Sequence, residues 1–361
     1  MSKSGKWLLI LGLVAFLSAI AFGFTVAAYG VQNNDYSISI GGEKFNIYSL
    51  GGIGMGNFLP GNAGIHFIDS TDLAVGATRI NEDFEANKEY SYSFDASRLD
   101  SIEISLASCK AEIICSDTDK ADLRYVTGTS KVNFTAESDG NKLTVSERPG
   151  AWFNFGGINS SVLILSVPEK VYENIKLDLA SGSIKSSGMT SGRLDANVAS
   201  GKMELEAFAK DIRLDIASGK MIINNCTEDA ADSVSIHTAS GGVEMKGFRS
   251  ENTNVDLASG SVNLNGISGK ADVDLASGQV TLVYAEWNDD LSIDLASGKV
   301  DVTLPGGSGA DTKFKRASGS MKMDLDGQSV SLKGESSMTV GGANVHKVDA
   351  STLSGNITIH N

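Results

Sequence analysis

Seven polar residues, Asp178, Asn197, Asp215, His237, Asp256, Asp274 and Asp294, each stand four positions before a glycine. Stacked in neighbouring chain layers, carboxylates about 5 Å apart repel one another unless water, salt or a cation intervenes. Two readings follow. One is a calcium-binding stripe. The other is a solvated structural face, eased by Lys202, Lys220 and Lys299. The calcium repeat G-G-x-G-x-D is absent, so the expectation is a structural face with no metal and no cofactor. A second candidate is the aromatic group Trp152, Phe153 and Phe155 in A-W-F-N-F-G-G. It reads either as a contact patch for a glycan or protein, or as a cover for an apolar end. His66, His237, His346 and His360 do not cluster, and neither G-x-S-x-G nor H-E-x-x-H occurs. No residue is expected to be catalytic.

The elements that carry these side chains are read from a repeat. A-S-G recurs at 180–182, 199–201, 217–219, 239–241, 258–260, 276–278, 296–298 and 317–319, with S-G again at 354–355. The last interval, 36 residues, is twice 18, and Ser336-Ser337 at its midpoint reads as a degenerate copy, making ten. Five residues before the glycine stand Leu177, Leu214, Ile236 and Val255; two after it stand Ile184, Met203, Met221 and Val243. Apolar and polar residues alternate around each S-G, which is the period of a strand. One copy cannot bury its apolar side alone, whereas stacked copies can. The expected fold is all-β: a right-handed parallel β-helix of about ten coils of 18–22 residues. Glycine and serine at the corner suit a sharp bend. T-E-D-A-A-D-S (227–233) and P-G-G-S-G-A-D-T (305–312) read as inserted surface loops.

The three cysteines form no disulfide framework. Cys109 falls in the glycine slot of an earlier copy. It is six residues from Cys115 on one probable strand, too far to bridge without a turn. Cys226, seven after a glycine like Phe208 and Phe248, reads as a core thiol.

Residues 7–29 carry no charge and are long enough to span a bilayer as a helix. Lys3 and Lys6 precede them, so the N-terminus is expected in the cytoplasm and the repeats outside, in a single-pass cell-membrane protein. An uncleaved signal-anchor is the reading; cleavage after V-A-A at 26–28 is the alternative. The organisation is then 1–30 tip and transmembrane anchor, 31–94 a glycine-rich juxtamembrane segment, and 95–361 the solenoid. Gly51–Gly64 lacks G-K-[ST] and is no phosphate loop. A net charge of −14 repels phosphate backbones, so nucleic acid is not an expected partner.

The stretches I-I-C-S-D-T-D-K-A-D-L-R-Y, K-L-T-V-S-E and L-I-L-S-V-P-E-K-V-Y-E-N-I-K-L-D-L-A-S-G-S-I, with the S-G-x-V copies after them, resemble the bacterial "putative adhesin" domains of unknown function, LiaG-like proteins among them. The resemblance covers residues 95–361. It implies a β-solenoid on a cell envelope behind one membrane helix, and it carries over no catalytic residue. The usual aspartate after S-G is replaced here by Ser183, Lys202, Lys220, Ser261, Gln279 and Lys299. The expected function is a non-catalytic, membrane-anchored envelope protein, adhesin-like or an envelope-stress accessory. Its partners would be the membrane, through the N-terminal helix, and an envelope protein or cell-wall glycan. Trp152, Phe153 and Phe155 are the candidate contacts. The alternatives are a β-helix polysaccharide lyase or hydrolase, and a self-assembling scaffold.

Overall fold

The computed structural model describes residues 37–40, 43–46, 78–81, 89–127, 132–149, 161–332 and 334–361. The expected membrane helix at 7–29, the segment Gly51–Gly64 and the aromatics Trp152, Phe153 and Phe155 lie outside these residues. The described residues form strands and no helix.

In chain order, β1 (Ser37–Ile40) and β2 (Glu43–Asn46) pair antiparallel with each other. β3 (Thr78–Asn81), β4 (Glu89–Asp95), β5 (Ser101–Ser116), β6 (Lys120–Val126), β7 (Val132–Ser138), β8 (Lys142–Pro149) and β9 (Ser161–Pro168) build one end of a stack. The middle is β10 (Val171–Val198), β11 (Lys202–Ile216), β12 (Lys220–Asn224), β13 (Ala230–Thr238), β14 (Gly242–Lys246), β15 (Arg249–Leu257), β16 (Ser261–Ile267), β17 (Lys270–Leu275) and β18 (Gln279–Tyr284). The far end is β19 (Leu291–Leu295), β20 (Lys299–Thr303), β21 (Ser308–Arg316), β22 (Ser320–Leu325), β23 (Gln328–Leu332), β24 (Ser336–Gly341), β25 (Asn344–Thr352) and β26 (Asn356–His360).

Through the middle, each coil pairs in parallel with the next in the register the repeat predicts: Val255 lies beside Val273, and Val262 beside Val280. Leu177, Leu214, Ile236, Val255, Val273 and Ile293 are at most 1% exposed, so the predicted interior ladder is the core. Each such side chain contributes about 1.5–3 kcal/mol by leaving water. Cys109 occupies the predicted glycine slot, opposite Gly182, and is buried.

The corners keep the ladder running round the bend. Ala217 N donates to Val198 O (2.9 Å), Ser218 N to Ala199 O (2.8 Å) and Lys220 N to Gly201 O (3.0 Å). The corner serine adds a bond of its own: Ser218 Oγ donates to Ala199 O at 3.1 Å. Glycine is required there for two different reasons. At Gly278 the backbone has φ +109°, and a Cβ would also lie 2.4 Å from Gly260 O. At Gly219 φ is ordinary, but a Cβ would lie 2.5 Å from Gly201 O. Close stacking of layers, more than backbone twist, is the requirement common to both.

The ends depart from the expected serial order. Beyond β19–β20 the next layer is β25–β26, the last in the chain; β21–β22 stacks outside it. β24 and β23 then cover β21 and β22 in antiparallel fashion. Ser336 and Ser337 therefore belong to an antiparallel cover strand and are not a parallel copy. The other end repeats this plan in reverse. β5 is inserted between the first half of β10 and the outer layer β8–β9, and β7 and β6 cover β8 and β9 antiparallel. The physical reason is edge protection: an antiparallel cover closes a parallel stack whose end would otherwise expose unpaired backbone.

Three smaller expectations are also corrected. Cys226 is exposed, whereas Met189, Phe208, Phe248 and Ile267 at the same repeat position are buried. The longer copy turns at Asn225, which donates from its backbone N to Lys246 O and from Nδ2 to Gly247 O, and this carries Cys226 off the inward register. The two insertions are shorter than their sequences suggest: β13 begins at Ala230 and β21 at Ser308, with Ala231 and Ser308 buried.

Candidate functional site

The seven polar residues four before each glycine do form one stripe. The register runs Asp178 beside Ser105, then Asn197, Asp215, His237, Asp256, Asp274, Asp294 and Ser351. Neighbouring layers are tied through it. Asp178 accepts from Ser105 Oγ (3.0 Å) and from Asn197 Nδ2 (2.6 Å). Lys176 Nζ lies 3.2 Å from Asp178 and 3.0 Å from Glu103, which also takes Lys142 at 2.5 Å. Arg213 Nε donates to Asp215 at 3.0 Å. Ser351 Oγ donates to Asp294 at 2.5 Å.

His237 stands between two carboxylates, with Nδ1 3.0 Å from Asp215 and Nε2 3.3 Å from Asp256. Burial works against its charge, but the two flanking carboxylates, Asp215 and Asp256, outweigh burial, and the imidazole pKa is pushed up to about 9. Burial also opposes ionisation of Asp215; His237 and Arg213 overcome it and hold the carboxyl below its ordinary range. An imidazolium thus replaces the solvent or metal ion that adjacent carboxylates would otherwise need.

Two expectations about the stripe change. Asp178, Asn197 and Asp215 are buried, so this part of the face is not solvated. The lysines assigned to relieve it pair on another face: Lys202 with Glu204, Lys220 with Glu244 and Lys299 with Asp301. They follow the glycine, and the corner turns them onto a different face. Relief comes instead from Lys176, Arg213, Asn197, His237 and Ser351, most of them within the stripe or two residues along the same strand. Among the described residues, no group of three or more His, Cys, Asp or Glu is placed to hold a metal ion.

A second constellation was not apparent in the sequence. In the layer β8–β9, Glu147 lies opposite Leu106, the residue that precedes A-S-C. Glu147 is 4% exposed, and its carboxylate accepts Ser108 N at 3.1 Å through Oε2 and Tyr125 OH at 3.0 Å through Oε1. In other layers the corresponding serine N–H reaches a corner carbonyl, as Ser200 N does at Ala180 O (2.9 Å). Glu147 thus accepts the N–H that a corner carbonyl takes in those layers. Tyr125 in turn stacks on Phe134 with ring centroids 3.8 Å apart, and both rings are fully buried. The available signal was S-L-A-S-C at 105–109 beside S-E-R-P at 146–149, with Ser105 opposite Ser146 and Leu106 opposite Glu147, where the neighbouring copy has no A-S-G.

A family model, Toastrack DUF4097, matches residues 99–360. This chain belongs to that family. The match spans the stacked layers and both covers beyond β21–β22, so the resemblance carried by the S-G copies holds. No curated protein matches the Toastrack chain. Among solved structures, it is similar to a "putative lipid binding protein" from Parabacteroides distasonis ATCC 8503: 15% identity, 74% of this chain and 96% of that one, TM-score 0.45. It is also similar to a "putative adhesin" from Bacteroides fragilis NCTC 9343, at 9% identity over 75% and 97% of the two chains, TM-score 0.39. A "putative cell adhesion protein" from Clostridium sporogenes ATCC 15579 matches at 12% identity over 76% and 99%, TM-score 0.22. None of these descriptions names an enzyme.

Proposed function

We propose that this Toastrack protein is a non-catalytic envelope protein. In this reading residues 7–29 anchor it with the N-terminus in the cytoplasm, and a right-handed solenoid is presented outside to an envelope protein or a cell-wall glycan. The observation that carries the reading is the use made of the polar groups. Asp178, Asp215, His237 and Glu147 are bonded to neighbouring layers, so the groups best suited to acid–base chemistry serve as braces. A braced, flat face suits extended contact better than turnover at a pocket. Right-handed coils follow the strong preference of parallel crossovers.

Trp152, Phe153 and Phe155 are the proposed contacts. Replacing the three aromatics with serine is expected to abolish binding to isolated cell-wall sacculi and to solubilised envelope, with the thermal midpoint unchanged. Unfolding of that variant, or cleavage of wall polysaccharide by the purified protein, overturns the proposal. Topology has a native reporter. Cys226 is exposed, Cys115 half-buried and Cys109 buried; burial raises all three thiol pKa values, that of Cys115 to about 11, so Cys226 is distinguished by access. A membrane-impermeant maleimide is expected to label intact cells at Cys226; labelling only after lysis reverses the orientation.

A further inference from the structure

The layer β25–β26 fills a slot whose two walls, β19–β20 and β21–β22, both come from earlier in the chain. We propose that the slot also accepts β25–β26 from a second copy, so that two chains exchange this layer and form a closed two-fold dimer.

The fit of the slot is specific to this segment. A Cβ on Gly355 would lie 2.3 Å from Leu295 Cδ2, and one on Gly319 would lie 2.1 Å from Gly355 O. Ser351 Oγ donates to Asp294 (2.5 Å), Ser320 Oγ to Asn356 Oδ1 (2.7 Å), and His360 Nε2 lies 3.1 Å from Asp301. The same segment from another chain makes every one of these contacts, so exchange loses none.

The slot can also empty without leaving an open edge. A-S-G at 296–298 and at 317–319 are consecutive copies, and every interior pair of consecutive copies stacks directly. When β25–β26 leaves, β21–β22 can close onto β19–β20 in the register used elsewhere.

The connection has no slack. β24 and β25 flank β21 in opposite directions and are joined by Gly342 and Ala343. Gly341 has φ +95°, and a Cβ on Gly342 would lie 2.3 Å from Gly307 O. Straightening this turn makes β24 and β25 one run that reaches away from its own slot. Short, constrained hinges favour such exchange.

The test uses the full chain with Cys226→Ser. Asp294 and Ser351 are opposite in register, at the separation a disulfide accepts. Asp294→Cys and Ser351→Cys are made in separate chains, refolded together and oxidised. A reductant-sensitive dimer joining the two variants is expected, and it is expected to be lost when four Gly/Ser residues are inserted after Gly342. Thr303→Cys with His360→Cys, also opposite in register, repeats the test should the first pair misfold. Mixed variants that stay monomeric, while the double variant crosslinks within one chain, overturn the proposal. A natively folded double variant that does not crosslink at all overturns it too, because the slot is then not filled by this segment.

Discussion

His237 and Glu147 show one residue meeting a need created by its layer. The imidazolium separates Asp215 from Asp256, and its raised pKa gives a direction for pH dependence. A group whose folded pKa lies above its unfolded value stabilises below the unfolded value, about 6.5, and that stabilisation is lost as pH rises through about 9. The thermal midpoint is therefore expected to fall between pH 6.5 and 9.5, with a loss of unfolding free energy on the order of 2–3 kcal/mol. His237→Gln should flatten that part of the profile; an unchanged slope would remove His237 as the cause. Glu147→Ala strands Ser108 N–H and removes one of the bonds of the buried Tyr125 hydroxyl, which keeps Ser161 Oγ at 3.1 Å, and is expected to cost about 1–3 kcal/mol in denaturant unfolding. Glycines separate in the same assay. Gly278→Ala meets both an unfavourable φ and Gly260 O, and should cost at least about 2 kcal/mol. Gly306→Ala, with nothing within 4 Å of the new Cβ, should stay within about 0.5 kcal/mol.

At the scale of strands, the inverted ends change which segment frays first. In a serial solenoid the last layer has one neighbour and opens most easily. Here β25–β26 has parallel neighbours on both sides, whereas β23 and β24 are registered on β22 and β21. Amide hydrogen exchange is expected to be slower in β25–β26 than in β23 and β24. Protection that declines steadily toward residue 361 would contradict the inserted layer. The turn joining β22 to β23 was legible: Asp326-Gly327 between the alternating Met321, Met323, Leu325 and Val330, Leu332 is a hairpin signal, and both residues have positive φ.

For the whole molecule, one buried apolar cluster runs from Tyr90 to Ile359, through every layer. Such a core, closed at both ends, is expected to unfold in one step. Trp287, 2% exposed with Nε1 donating to Gly309 O at 2.8 Å, reports on the β21 end. In a chain with Trp7 and Trp152 replaced by phenylalanine, its fluorescence and the strand signal in circular dichroism should change at the same denaturant concentration. An earlier fluorescence change would show the end opening separately.

What the sequence determined by itself was whatever repeats locally: the two-residue alternation, the corner glycines, the interior ladder and the stripe from Asp178 to Asp294. These depend on contacts between equivalent residues one layer apart, so a period in the sequence is also a neighbour relation in space. Tertiary structure alone decided the order of layers at the ends, because a copy of the motif can stack on any other copy, and the motif carries no record of which. It also decided the partners of the charges. Lys202 and Lys220 lie near the acidic stripe in sequence but turn onto another face at the corner, while Glu147 and Ser108, 39 residues apart, meet only because a cover strand pair folds between them and brings one layer against the other.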